Sequence, residues 1–199
     1  MKDRDNSIGL FPLRIFLFPG EQTTLHIYEP RYLQLINECN TNKTFFGIPF
    51  QGKTTLSEYG SMVKIIQVLK NYENGELDIL VECIQNFKIN QFEAKKENKL
   101  YPSGTIAVIK DIIFTPDKSL LKQVTQYLKL LLDKDITNDM SDLLSEKNIV
   151  NVVNLTDDEK IKFLRYNNDK KNDFLNRKIK FMLILLRQEK KVEQNFYLN

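Results

Sequence analysis

The sequence predicts an α+β protein in which a β-rich N-terminal part with one short helix precedes a helical C-terminal part. Before about residue 110, short apolar or alternating runs are separated by turn signals; after Pro116, apolar residues recur with helical spacing. The length of 199 residues allows one large domain or two small ones. The hydrophobic pattern changes from strand-like to helical near residues 112–118, and no Gly- or Ser-rich linker separates the two parts. We therefore expect domains at residues 8–112 and 116–194.

The β-rich part begins with an apolar run over residues 10–18, which predicts a strand that ends at the Pro19-Gly20 turn. A β-branched and apolar run predicts a second strand over residues 23–27. Pro30 suits the first turn of a helix, because its missing N–H needs no partner there. Further strands are predicted over residues 45–50, 59–69, 76–83 and 105–109.

Asn74-Gly75 is the strongest hairpin signal in the chain. These two residue types tolerate the positive φ angles that a type I′ turn requires at both central positions. We therefore expect an antiparallel hairpin turning there in type I′ geometry. Residues 105–109 form a run that would be apolar on both faces of a strand, which predicts a strand buried on both faces.

The C-terminal part reads as four helices. Residues 120–132 carry a wide apolar stripe, residues 139–153 predict a second helix, and residues 169–193 predict a long last one. Thr156 and Glu159 have the spacing of a capping box that opens the third helix, which should run to Arg165. We expect the stripes of the first and last helices to bury each other and leave little exposed apolar surface.

Composition excludes several classes of function. The net charge of +3 comes from mixed, scattered charges, so no nucleic-acid footprint stands out. With one His, two Cys and no metal-ligand spacing or phosphate loop, we expect no catalytic residues, no metal and no cofactor. His26 is expected to serve polar packing, with a ligand or base role as the alternative. No signal peptide or membrane span is evident, so a cytoplasmic protein is expected.

Residues 11–32, FPLRIFLFPGEQTTLHIYEPRY, resemble the N-terminal substrate-binding domain of the Lon protease family. Residues 59–89, YGSMVKIIQVLKNYENGELDILVECIQNFKI, carry the second half of the resemblance. Two positions depart from it: Cys83 stands where the family commonly has Gly, and Met62 where it has Thr. The resemblance implies a PUA-like β pseudobarrel with one short helix, followed by a C-terminal helical subdomain. It also implies a bacterial, non-enzymatic binding module, because the Lon ATPase and peptidase domains have no room in this length.

The implied partner is an unfolded polypeptide or a specific partner protein, captured through an apolar groove or a strand edge. Tyr28, Tyr32 and Phe50 are the candidate peptide contacts, on the barrel or in the cleft beside it. Glu29, Pro30 and Arg31 are interpreted as a structural motif that anchors a helix start. Two rival hypotheses are a PUA-like RNA-binding module, disfavoured by the scattered basic residues, and an enzyme of unfamiliar type.

Overall fold

The computed structural model describes residues 7–95, 98–109, 114–134 and 142–196. The chain divides into two compact units, Met1–Asp111 and Ile112–Asn199. The first is an antiparallel half-barrel that carries one helix, and the second is made of helices. The predicted α+β class is therefore confirmed.

The described residues of the first unit form six strands and one helix. They are β1 (Ser7–Gly9), β2 (Gln22–Ile27), α1 (Pro30–Asn42), β3 (Phe46–Gln51), β4 (Leu56–Asn71), β5 (Leu77–Glu93) and β6 (Ser103–Ile109). The sheet order is β1-β6-β5-β4-β3, and β2 pairs with β5 as well. All pairs are antiparallel. The long strand β5 is central because its first half adjoins β2 and its second half adjoins β6.

Residues 10–18 do not form the regular strand that the sequence predicts. Leu10 N–H donates to the carbonyl of Pro102, just before β6, at 2.8 Å, and Phe11 N–H donates to the carbonyl of Gly47 in β3 at 2.8 Å. The contact with β3 continues past Pro12, because Leu13 N–H donates to the Pro49 carbonyl at 3.1 Å and the Leu13 carbonyl accepts from Gln51 N–H at 2.7 Å. These contacts amount to isolated parallel bridges rather than a continuous ladder. Farther along, Leu17 N–H donates to the side-chain hydroxyl of Ser61 in β4 at 2.9 Å instead of to a backbone carbonyl. Backbone groups of this segment are thus hydrogen-bonded to partners that are distant in sequence, in place of a regular β-ladder.

Alternation along the strands places the core between the sheet and α1. The inward positions of β2 and β5 are buried, as are those of one helix face. This core contains Leu25, Ile27, Tyr32, Leu35, Ile36, Leu77, Ile79 and Val81. Cys39 and Cys83 are also buried, and both are free thiols.

The predicted hairpin is confirmed, but its turn type is wrong. β4 and β5 pair up to Asn71 and Leu77. Gly75 N–H donates to the Tyr72 carbonyl at 2.9 Å, and Tyr72 N–H donates to the Glu76 carbonyl at 2.9 Å. Gly75 has a φ of +86°, whereas Asn74 is not in the positive-φ region. A three-residue loop with a glycine bulge therefore replaces type I′, because only its last residue needs positive φ.

The prediction that the last strand is buried on both faces is also wrong. In β6, Ala107 and Val108 are exposed, whereas Ile106 is buried. Ala107 and Val108 are adjacent and so point to opposite faces, which means that the second half of β6 is exposed on both faces, while Ser103 and Gly104 in the first half are buried.

The described residues of the second unit form the helices α2 (Lys118–Leu132), α3 (Glu146–Val153), α4 (Asp157–Arg165) and α5 (Asn168–Phe196). The capping box is confirmed, with Thr156 N–H donating to Glu159 Oε2 at 3.0 Å. The helix predicted over residues 139–153 begins later, at Glu146, and its first three residues lie outside the described part of the chain.

α2 and α5 run in the same direction. Asp117 N–H donates to Asn172 Oδ1 at 2.8 Å near their beginnings, and Lys190 Nζ lies 3.1 Å from Asp133 Oδ1 near the end of α2. Their facing stripes are buried: Leu120, Val124 and Leu128 from α2, and Leu175, Ile179 and Leu183 from α5.

Candidate functional site

The corner between β2 and α1 carries the residues that the sequence singled out. Pro30 is the first residue of α1, and Glu29 occupies the N-cap position without a side-chain cap bond. Arg31 instead engages Glu29, with Nε donating to Glu29 Oε2 at 2.8 Å. The Arg31 guanidinium also lies 4.5 Å from the centre of the Tyr32 ring. Glu29, Arg31 and Tyr32 therefore form a local contact at the helix start.

The three candidate peptide contacts are placed differently. Tyr28 is 61% exposed. Tyr32 is 5% exposed and stacks on Phe11 with ring centres 3.9 Å apart, while Phe50 is 8% exposed. Tyr32 and Phe50 thus belong to the buried residues of this structure. Tyr28 alone of the three presents its ring to solvent.

Tyr28 belongs to a polar surface group that we call the His26 cluster: His26, Tyr28, Tyr72, Glu76 and Asp78. His26 Nδ1 lies 2.7 Å from Asp78 Oδ1, and Nε2 lies 3.2 Å from Glu76 Oε2. Tyr72 donates to Asp78 Oδ2 at 2.7 Å. The rings of Tyr28 and Tyr72 lie 6.0 and 5.6 Å from the imidazole. Strand register creates the cluster, because His26 of β2 lies opposite Asp78 of β5.

Two carboxylates define the electrostatics of this cluster. The hydrogen bond with Asp78 raises the pKa of His26 above its usual 6.5, and the charge of Glu76 adds to the effect. Hydrogen bonds from Tyr72 and His26 lower the pKa of Asp78. Both imidazole nitrogens therefore face acceptors and favour the protonated ring. A nucleophile–base pair would require a hydroxyl or thiol at one of them, and carboxylates occupy both places.

A second polar group fixes the segment before β6 onto α1. Lys99 Nζ and the Tyr101 hydroxyl both donate to Glu38 Oε2 at 2.6 Å. These two bonds lower the pKa of Glu38, and burial followed by the Glu38 contact raises that of Tyr101. Gln34 adds to the same contact by accepting from Leu100 N–H at 3.0 Å. Because its members already have hydrogen-bond partners within the group, we interpret this group as a structural support.

The expectation that the helices leave little exposed apolar surface is wrong. Four residues on the second half of α5 are 42% to 59% exposed: Phe181, Ile184, Leu185 and Val192. Leu131 and Leu132 at the end of α2 are exposed as well. The apolar residues of α5 exceed what a single neighbouring stripe covers, because they occupy more than one helix face. Their spacing was visible in sequence, but their exposure was not.

No cluster of three or more His, Cys, Asp or Glu side chains suited to a metal ion occurs among the described residues. No helix in the described part combines the length and apolar character needed to cross a membrane.

The half-barrel with one helix, followed by a helical unit, defines the class of this protein as a Lon-type N-terminal domain. The chain belongs to the family described as the ATP-dependent protease La (LON) substrate-binding domain, whose model matches residues 7–192. The match runs through both units, so the helical unit is part of the same family domain.

Solved structures agree with this fold. The Lon N-terminal domain protein from Xanthomonas campestris is 21% identical, with 89% of this chain and 97% of that chain covered and a TM-score of 0.59. The N-terminal domain of the Mycobacterium avium complex Lon protease is 13% identical, with 91% and 98% covered and a TM-score of 0.51. No match was found among curated proteins.

Proposed function

We propose that this protein is a non-catalytic binding module that recruits unfolded polypeptide segments or a specific partner protein. The observation that carries the proposal is the match of a substrate-binding domain family over residues 7–192. The His26 cluster supports the non-catalytic part, since both nitrogens of the one histidine face carboxylates.

The edge of β4 is poorly suited to recruiting a polypeptide by strand addition. Residues 64–71 of β4 pair with β5 on one side, and no described strand pairs with the other. This edge has register shifts between Ile65 and Gln67 and between Val68 and Lys70. Bulges of this kind interrupt the regular ladder that an added strand needs.

On the half-barrel, Tyr28 is the proposed contact. It joins an exposed ring to the carboxylates of the His26 cluster, and a tyrosine offers both apolar area and a hydroxyl to a partner. Tyr32 supports this corner from the core, where its ring stacks on Phe11, and Phe50 is buried in β3.

Binding of a permanently unfolded protein tests the proposal. Labelled reduced, carboxymethylated α-lactalbumin is titrated with the full chain and followed by fluorescence anisotropy, beside native α-lactalbumin. We expect the unfolded form to bind and the native form not to bind. Tyr28→Ser should weaken binding by about fivefold. Phe45→Ser, at another exposed aromatic residue of the same unit, is the matched control and should change it by less than about twofold.

Three further assays distinguish the rival functions. Incubation with ATP and with casein should give no turnover above background; activity that survives repurification would make the protein an enzyme. Salt-sensitive binding of single-stranded RNA, together with no binding of the unfolded protein, would favour the RNA-binding alternative.

A further inference from the structure

A groove of about 450 Å³ lies between α2 and α5. α2 contributes Ser119, Lys122, Gln123 and Gln126, and α5 contributes Lys180, Leu183, Ile184 and Arg187. Each set has the spacing i, i+3, i+4, i+7, so each is one continuous face of its helix. Since the two helices run in the same direction, the faces form the two walls of a helical groove.

The charges in this groove are of one sign. Its lining includes three cationic side chains, Lys122, Lys180 and Arg187, and no carboxylate. None of these three has an ion pair with a carboxylate in the described part of the chain. Other lysines of α5 do: Lys178 lies 2.8 Å from Glu159, and Lys190 lies 3.1 Å from Asp133. The two α5 lysines that flank the groove residues in sequence therefore have carboxylate partners within the protein, whereas the cations that line the groove have none among the described residues.

Gln123 of the α2 wall contacts α5 through its amide group. Its Nε2 donates to Asn176 Oδ1 at 2.8 Å and to Ser119 Oγ at 3.3 Å. Its Oε1 is buried and has no hydrogen-bond partner among the described residues. A buried acceptor without a donor is unfavourable, so Gln123 would gain from a change of side-chain conformation that brings Oε1 to a donor.

The α5 wall is apolar between its cations. Leu183 is buried at the base of the groove, and Ile184 is exposed. Phe181 and Leu185 extend this apolar surface along the helix, and both are exposed. A fitting partner therefore combines apolar side chains with negative charge.

We propose that this groove binds acidic amphipathic segments of client polypeptides, with apolar side chains against Ile184 and carboxylates against Lys122, Lys180 and Arg187. The proposal rests on the proposed function and names the class of segment that is recruited. A concave groove with an amide-rich wall suits a peptide better than a flat anionic membrane. Single-stranded nucleic acid is disfavoured because the lining has no aromatic ring on which a base can stack.

Three labelled peptides of about 16 residues test the charge preference. They share one apolar pattern and carry Glu, Gln or Lys at the polar positions. The intact chain should bind the Glu peptide most tightly and the Lys peptide least. The preference should shrink as salt rises, because exposed charges are screened.

Charge-neutralising variants locate the site. The triple variant Lys122→Gln, Lys180→Gln, Arg187→Gln should bind the Glu peptide about tenfold more weakly. Each exposed ion pair contributes about 0.5 kcal/mol, and about 1.4 kcal/mol corresponds to a tenfold change in affinity. The control is Lys53→Gln, Lys162→Gln, Lys170→Gln, at exposed lysines outside the groove. Both triples lower the net charge from +3 to 0, and Gln keeps helix propensity close to that of Lys and Arg. The control should change affinity by less than about twofold.

The outcomes separate this inference from the proposed function. Equal binding of the three peptides, or equal effects of the two triples, overturns the groove while binding of unfolded α-lactalbumin still stands. If the unmodified chain binds no polypeptide at all, both the groove inference and the proposed function are wrong. If the groove triple impairs binding to vesicles with anionic lipids but leaves the Glu peptide unaffected, the surface is a membrane contact and the inference is wrong. Ile184→Ser supplies a variant of unchanged charge and should also weaken the Glu peptide; no effect there counts against the apolar wall.

Discussion

Replacing Ser61 by Ala should lower the free energy of unfolding of the half-barrel by about 2 kcal/mol. The Ser61 hydroxyl accepts from Leu17 N–H at 2.9 Å and donates to the Leu17 carbonyl at 2.9 Å. The carbonyl keeps other donors in the variant, Asn86 Nδ2 at 2.8 Å and the Cys83 thiol at 3.3 Å. The buried Leu17 N–H loses its acceptor, and an unsatisfied buried donor costs about 1–3 kcal/mol. The loss of the N–H acceptor thus dominates the estimate.

Urea unfolding followed by far-UV circular dichroism measures this change, since the chain has no Trp for fluorescence. Thermal unfolding should shift downward by about 4–8 °C for a chain of this size. Ser57→Ala is the matched control: Ser57 Oγ accepts from Tyr59 N–H at 3.1 Å in a partly exposed position, where water can replace it. The control should cost less than about 0.5 kcal/mol. A Ser61→Ala loss no larger than that of the control would refute the assignment of Ser61 as the support of residues 10–18.

The remaining predictions concern the hairpin, the helix start and the His26 cluster. Gly75→Val should cost about 1 kcal/mol or more, because a φ of +86° is strained for a β-branched residue; an unchanged urea midpoint would contradict the turn geometry. Arg31→Ala should cost about 1 kcal/mol or less, given its exposed pair with Glu29. Full thermal stability with lost client binding would instead place Arg31 in the binding surface. By NMR titration, His26 should have a pKa above 6.5 that falls in Asp78→Asn. Because the folded pKa is raised, its stabilising contribution is full below pH 6.5 and disappears as pH rises through the folded value; a pKa at or below 6.5 would contradict this.

Local signals predicted the regular elements of the fold. β2, the β4–β5 hairpin and the start of α1 at Pro30 follow from alternation, a glycine turn and a proline that needs no hydrogen-bond partner. The capping box at Thr156 is confirmed for the same reason, since both of its members lie within one helical turn.

Features that depend on distant partners were not predictable in this way. Residues 10–18 have the composition of a strand, but their conformation depends on side chains such as Ser61, 44 positions after Leu17. Likewise, Tyr28 and Tyr32 are equivalent as sequence signals, and only the turn into α1 separates an exposed ring from a buried one. His26 could be recognised as polar, but its two carboxylate partners follow from strand register.

The groove between α2 and α5 shows the same limit for charge. In sequence, Lys178, Lys180, Arg187 and Lys190 are all solvated cations on an amphipathic helix. Folding gives the first and last of them carboxylate partners from α4 and from the residue after α2. The middle two face Lys122 across a groove that contains no acid. A concentrated cationic surface is costly through self-repulsion, so its pairing with exposed apolar side chains is better explained by an acidic, apolar partner than by solvation alone.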